Sequence, residues 1–243
     1  MSALGHYIEE EAIPTVAISL VRPQTERTRP PRALWVPFEL GRPFGPPNDP
    51  QFQKRVIMGA LRLLEREAGP VVLEDFPDED PRERPDPGWQ APLAKARLAD
   101  GSPDTIAREL ENEMNQLKSA YQTFVAQRGR TLVGLSGLAI PEAGRYIAQW
   151  LRGETQNSPN PEMSAPLTLR FAVDDVKAYY FEAAMAGTAK PSSRQLADWF
   201  WNDTAAGAAI FALRRAYLAS DDDRLKAIAG LLLVPGVRVP TTG

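Results

Sequence analysis

The stretch "PDEDPRERPDPGWQAP", residues 77–92, limits what this chain can fold into more than any other feature. It is dense in proline and charge. Such a composition buries too little apolar surface to fold by itself and reads as a linker. With 243 residues, the chain is long enough for one large domain or two small ones. The expected organisation is therefore a module at 1–76, a charged Pro-rich linker at 77–90 and a second domain at 91–243.

The two flanks differ in their apolar periodicity. Residues 2–11 place Leu4, Tyr7 and Ile8 at helical spacing, with Ser2 as a candidate N-cap. Pro14 ends that pattern, and "TVAISLV" follows as a short β-rich run. "ALWVPF" reads as a second strand, which Pro37 confines to an edge or a strand end. Asp49 and Pro50 then open a helix as N-cap and first residue, and "PVVLEDF" (70–76) is a third strand. Helix alternating with short buried strands is the unit of a wound parallel sheet. Three strands leave that sheet incomplete, with an open edge.

Beyond residue 91 the period is helical. Ile106, Leu110, Met114, Leu117, Tyr121 and Phe124 form a regular stripe over 104–128. "TLVGLSGLAIP" breaks the period as a buried turn or strand. Further helices are expected near 141–152, 172–186, 193–219 and 222–233, the 193–219 helix opening at a capping box of Ser192 and Gln195. The fold class is thus an α/β N-terminal module followed by a mainly α-helical domain.

Composition narrows the chemistry sharply. There is no cysteine and one histidine, His6. Disulfides, thiolate nucleophiles, thiolate zinc sites and a histidine-based metal site or catalytic triad are all out of reach of one chain. The "GLSGL" run at 134–138 lacks the second glycine of a nucleophile elbow. Asp174, Glu182, Asp198 and Asp203 invite a carboxylate–metal reading, but no Glu-x-x-His pattern accompanies them. They read as the rim of an aromatic core, and neither a metal nor a cofactor is expected. Net charge is −3, so no broad cationic surface for nucleic acid is present. No apolar run nears the ~18–20 residues of a membrane span, and the N-terminus lacks a secretory pattern. A cytoplasmic location is expected.

The order "IPTV" (13–16), "PPRA" (30–33), "LGRPFG" (40–45) and "PPNDP" (46–50), with Gln53 in the next helix, carries a resemblance. Over 13–64 the chain resembles the C-terminal portion of the selenoprotein B family. That family comprises the B components of glycine, sarcosine and betaine reductases and the related D-proline reductase subunit. The resemblance implies reductive cleavage of a carbon–nitrogen bond in a small carboxylate-bearing substrate. The family's selenocysteine or cysteine lies upstream of the first helix, and no residue here can take its place. Either a gene model has restarted at a methionine downstream of it, or the chain is a stand-alone descendant or a subunit of a redox partner.

The candidate substrate-binding residues are Arg32, Arg42, Asn48 and Gln53. Two guanidinium groups beside a helix N-terminus can hold a carboxylate bidentately, while Asn48 and Gln53 also suit local turn and helix roles. No catalytic residue is assigned. The implied partners are a chain carrying the cysteine or selenocysteine, the small substrate, and further copies or subunits in an oligomer. The alternative is a non-enzymatic binding or assembly subunit that docks through its helical domain.

Overall fold

The structure is a computed structural model that describes residues 2–66, 71–98, 101–154 and 157–239. The chain divides into two compact units, Met1–Arg84 and Pro85–Gly243. The Ser2 cap rests on a side chain outside the described residues, and Pro70 lies outside them too.

The first unit carries a three-stranded parallel sheet of order β1-β2-β3. Its strands are β1 (Ala17–Ser19), β2 (Arg32–Trp35) and β3 (Val72–Asp75). The register pairs Ala17 with Ala33 and Ala33 with Leu73. Helix α1 (Ser2–Glu10) precedes the sheet, α2 (Arg22–Thr28) joins β1 to β2, and α3 (Pro50–Arg62) leads on toward β3. Pro37 falls after the last residue of β2, which is how a proline-bearing segment can supply the central strand. The sequence pattern gives no sign of α2. Its seven residues, "RPQTERT", bury only Thr25 and carry no apolar stripe.

Asp49 caps α3 by accepting from the Phe52 N–H at 2.9 Å, with Pro50 at the first helical position. That cap sets Phe52, Val56 and Ala60 facing the sheet. Phe38, Phe52 and Phe76 pack as a triangle with ring centroids 5.5–5.9 Å apart. Such pairs add about 0.5–1.5 kcal/mol each beyond area burial. Leu34, Val36 and Leu63 complete this core.

The second unit is a helical bundle. Its elements are α4 (Pro103–Arg128), α5 (Ile140–Leu151), α6 (Ala165–Ala184), α7 (Ser193–Asp203), α8 (Ala205–Leu218) and α9 (Asp223–Leu231). The Ser192–Gln195 capping box is formed. The single helix expected over 193–219 is instead two, broken at Thr204. Extended backbone there (φ −107°, ψ 152°) ends α7, and the Thr204 hydroxyl accepts from Gly207 to start α8. Gly207 is required at this corner, since a Cβ would meet the Phe200 carbonyl oxygen at 2.4 Å. The 77–90 segment is shared between the units. Asp80 is buried in the first, while Trp89 packs edge-on to Trp199 in the second.

Buried carboxylates organise this bundle. Residues 131–138 form an irregular loop rather than a strand, and its backbone donors turn to helix α6. Asp175 accepts from the N–H groups of Gly134, Leu135 and Ser136 at 2.8–2.9 Å, and from the Ser136 hydroxyl at 2.5 Å. Glu182 accepts from the Leu132 N–H and the Thr131 hydroxyl. Glu113 of α4 reaches the start of α8, where both its oxygens lie 2.9 Å from the Ala205 nitrogen, and it accepts from the Tyr180 hydroxyl. These are orphan donors that the backbone cannot satisfy by itself.

Two outcomes are expected. Asp175→Ala leaves three consecutive N–H groups without their acceptor, that of the buried Ser136 among them, and should destabilise the chain by about 1–3 kcal/mol. Amide exchange at residues 134–136 should accelerate first, and unchanged protection there contradicts the assignment. Burial raises the Glu113 carboxyl above its ordinary 4.5, against the pull of the Ala205 N–H and the Tyr180 hydroxyl. Its stabilising contribution is therefore full below pH 4.5 and is lost as pH climbs through the higher folded value. The stability of the unchanged chain to denaturant should gain on that of Glu113→Gln as pH falls toward 4.5. A difference constant with pH contradicts this.

Candidate functional site at the carboxyl end of the sheet

Open parallel sheets bind ligands beyond the carboxyl ends of their strands, and here those ends carry arginines. Arg22 opens α2, three residues past the end of β1. Its Nε lies 3.1 Å from Asp75 Oδ1 at the end of β3, and its guanidinium carbon sits 5.9 Å from the Trp35 ring centroid at the end of β2. One side chain thus spans the ends of all three strands. Glu26, one helical turn on, pairs with the same guanidinium. The Arg22 side chain keeps 39% of its surface exposed, which leaves it open to a competing anion.

Two further arginines pair with acids of the segment that follows β3. Arg55 pairs with Asp78 at 3.1 Å and lies 4.8 Å over the Phe52 ring. Arg82 pairs with Asp80 at 3.1 Å. Burial alone would raise the Asp80 carboxyl. The Arg82 side chain and N–H, with the charges of Arg82 and Arg42, hold it below the ordinary 3.8. An open groove of about 860 Å³ runs along α3 and the end of β3, lined by Lys54, Arg55, Arg62, Asp75 and Asp78 among others.

The four residues singled out in the sequence do not form one cluster. Arg32 begins β2 and is in register with Val72, the first residue of β3, so it stands at the amino end of the sheet. There its Nη1 donates to Glu9 Oε1 at 2.6 Å, while its Nε is buried without a partner. Arg42 belongs to the β2–α3 connection, pairs with Glu39 at 3.5 Å and acts on Asp80. The two guanidinium groups therefore flank opposite ends of the strands. Asn48 takes a left-handed backbone (φ +63°) in the turn before Asp49. Gln53 donates to the Pro46 carbonyl at 2.9 Å and ties that turn to α3. Arg22 and Asp75 were not singled out, because neither lies in a motif; only strand order brings them together.

The remaining candidates have identifiable structural partners. His6 Nε2 donates to the Arg29 carbonyl at 2.9 Å. Ser136 is fully buried against Asp175. Asp174 pairs with Arg170 and Lys177, Asp198 with Arg238, and Asp203 with Lys95. With Glu182 held by the Thr131 hydroxyl and the Leu132 N–H, these four acids face four separate sets of donors. Among the described residues, no three His, Asp or Glu side chains are grouped to hold a metal ion. Lys177 is pushed down to about 8 by burial and by the Arg170 charge, but its Nζ is engaged by Asp174 at 2.8 Å.

The Arg32–Glu9 pair yields a test of its structural role. Burial opposes the charge on Glu9, yet the Thr15 N–H, Arg32 and the Thr15 hydroxyl bring its carboxyl below the ordinary 4.5. Its contribution is present above pH 4.5 and is lost as pH falls through the lower folded value. Glu9→Gln should therefore cost stability at neutral pH and cost less in acid, measured by urea midpoints. An equal cost at both pH values contradicts the pairing. Comparison of the chain with protein-family models, curated proteins and solved structures finds no match.

Proposed function

We propose that this chain is a component of a reductase of the glycine, sarcosine, betaine or D-proline type. It supplies the sheet and a carboxylate-binding rim, and a second chain supplies the thiol or selenol. The observation that carries this reading is Arg22 lying across the carboxyl ends of all three strands, beside Trp35 and opposite Asp75. A small substrate carboxylate takes the place of Asp75 or Glu26 on that guanidinium, and Arg42 adds positive potential from the β2–α3 connection. Asn48 and Gln53 shape the connection that carries Arg42. Trp35 offers a ring face to an ammonium or quaternary ammonium group.

The chemical step lies elsewhere. Displacing an amine from the carbon beside a carboxylate needs a soft, readily ionised nucleophile. The 243 residues contain no cysteine. The nucleophile attacks the α-carbon, a bond to sulfur or selenium forms, and the amine leaves with the C–N electron pair. The unpaired outer edges of β1 and β3 are natural places for a partner chain to complete the sheet. No helix of the described residues is long and apolar enough to cross a membrane, and a cytoplasmic assembly is the setting we infer.

The alternative of a docking subunit built on residues 193–219 has less support. That stretch turns its large apolar side chains inward, and of them only Leu218 is exposed among the described residues.

The reductase reading is tested by assaying amine release from glycine, sarcosine and betaine, and ring opening of D-proline, with dithiothreitol as reductant. The chain alone should give no product. Addition of a separately produced chain bearing the family's cysteine or selenocysteine element should give product, and Arg22→Gln should lower that rate about tenfold or more. Turnover by this chain alone sinks the reading, as does a partner whose rate is the same with and without it.

A further inference from the structure

The second unit holds a groove that the proposed reaction leaves unused. It lies between α4 and α5 over α6 and has a volume of about 320 Å³. Met114 and Tyr121 of α4, Ile140, Pro141 and Gly144 of α5, and Tyr179 of α6 make its apolar lining. Gly144 is needed for this packing, because a Cβ there would come 2.6 Å from the Met114 sulfur. The Tyr179 hydroxyl is occupied by the Met114 carbonyl at 2.6 Å, and that of Tyr121 by the Thr131 hydroxyl at 3.0 Å. What remains for a ligand is ring surface, mainly that of the half-buried Tyr121, with the buried Tyr179 ring behind it at a centroid distance of 4.6 Å.

Two cations stand at the rim, Lys118 of α4 and Arg145 of α5, both exposed. No described carboxylate lies within ion-pair distance of Lys118 or Arg145. Glu111 is the one acid in the lining, so two cations against one anion leave the groove at +1. Asn115 and Gln122 are neutral. An apolar slot with a few convergent polar groups at its mouth is the usual form of a small-molecule site.

We propose that this groove binds an aryl- or alkyl-carboxylate monoanion. Its apolar body lies against the Tyr121 and Tyr179 rings and Met114, and its carboxylate sits between the Lys118 ammonium and the Arg145 guanidinium, whose planar fork matches two oxygens. The proposal is independent of the reductase reading, which concerns the first unit.

The probe is 3-phenylpropionate, titrated against the full chain by ligand-detected NMR, with the uncharged 3-phenylpropanamide as its control. The acid should bind, and its saturation should perturb the Tyr121 and Tyr179 ring signals. The double variant Lys118→Glu/Arg145→Glu, altered only at exposed positions, should weaken the acid about tenfold or more while leaving the amide unchanged. If that variant does not fold, Lys118→Met carries the same test with a smaller loss. Absence of acid binding to the unchanged chain overturns the proposal. So does acid affinity that survives the charge reversal, or a loss shared equally by acid and amide.

Discussion

Carboxylates that accept backbone N–H groups are the interaction on which this structure depends. A chain with long irregular segments must satisfy the donors of every buried one. Asp175 gathers three consecutive N–H groups from the loop after α4, and Glu182, two helical turns along the same face, takes the N–H of Leu132. That loop is thereby bound to α6 and delivers the chain to α5. Glu113 does the same at the start of α8, where the helix dipole also favours a negative partner. In the first unit Asp49 and Asp80 do it locally, at α3 and at the short turn of residues 81–83. Without these acceptors the packing of the tyrosine, tryptophan and phenylalanine side chains around Phe200 would have no fixed frame.

This economy also separates structural acids from candidate functional groups. An aspartate wrapped by N–H groups has no free oxygen to offer a ligand. Arg22, Arg42 and Arg55 are different, since their partners Asp75, Glu26, Glu39 and Asp78 are exposed carboxylates that an incoming anion can replace. Exposed pairs of this kind contribute only about 0–1 kcal/mol. A substrate carboxylate that displaces one therefore loses little, and that is the physical basis for assigning the proposed binding role to Arg22 and Arg42 rather than to the part-buried Arg32.

Local signals in the sequence carried over well, and long-range ones did not. The Asp49–Pro50 start of α3, the Ser192–Gln195 box and the apolar stripe of α4 each depend on residues within a few positions, so they were legible. Helix α2 was not, because its position comes from joining two parallel strands rather than from any apolar face of its own. The break at Thr204 was hidden since the apolar pattern runs through it unbroken, and only the close approach required at Gly207 reveals the corner. Arg32 and Arg42 are ten positions apart in sequence, yet the strand between them carries one to each end of the sheet. Conversely, Arg22 and Asp75 are distant in sequence and meet only because β1 and β3 flank β2. Nothing in residues 131–138 announces an acceptor some forty positions later.

The central claim is that a small carboxylate binds where Arg22 crosses the strand ends. Chemical-shift mapping of the ¹⁵N-labelled chain during titration with betaine tests it most directly. The account predicts that the Arg22 side-chain N–H and the Trp35 indole N–H shift together and saturate, and that Arg22→Gln abolishes both changes. Shifts confined to the amino end of the sheet near Arg32, or no saturable change at Arg22 and Trp35, would contradict it.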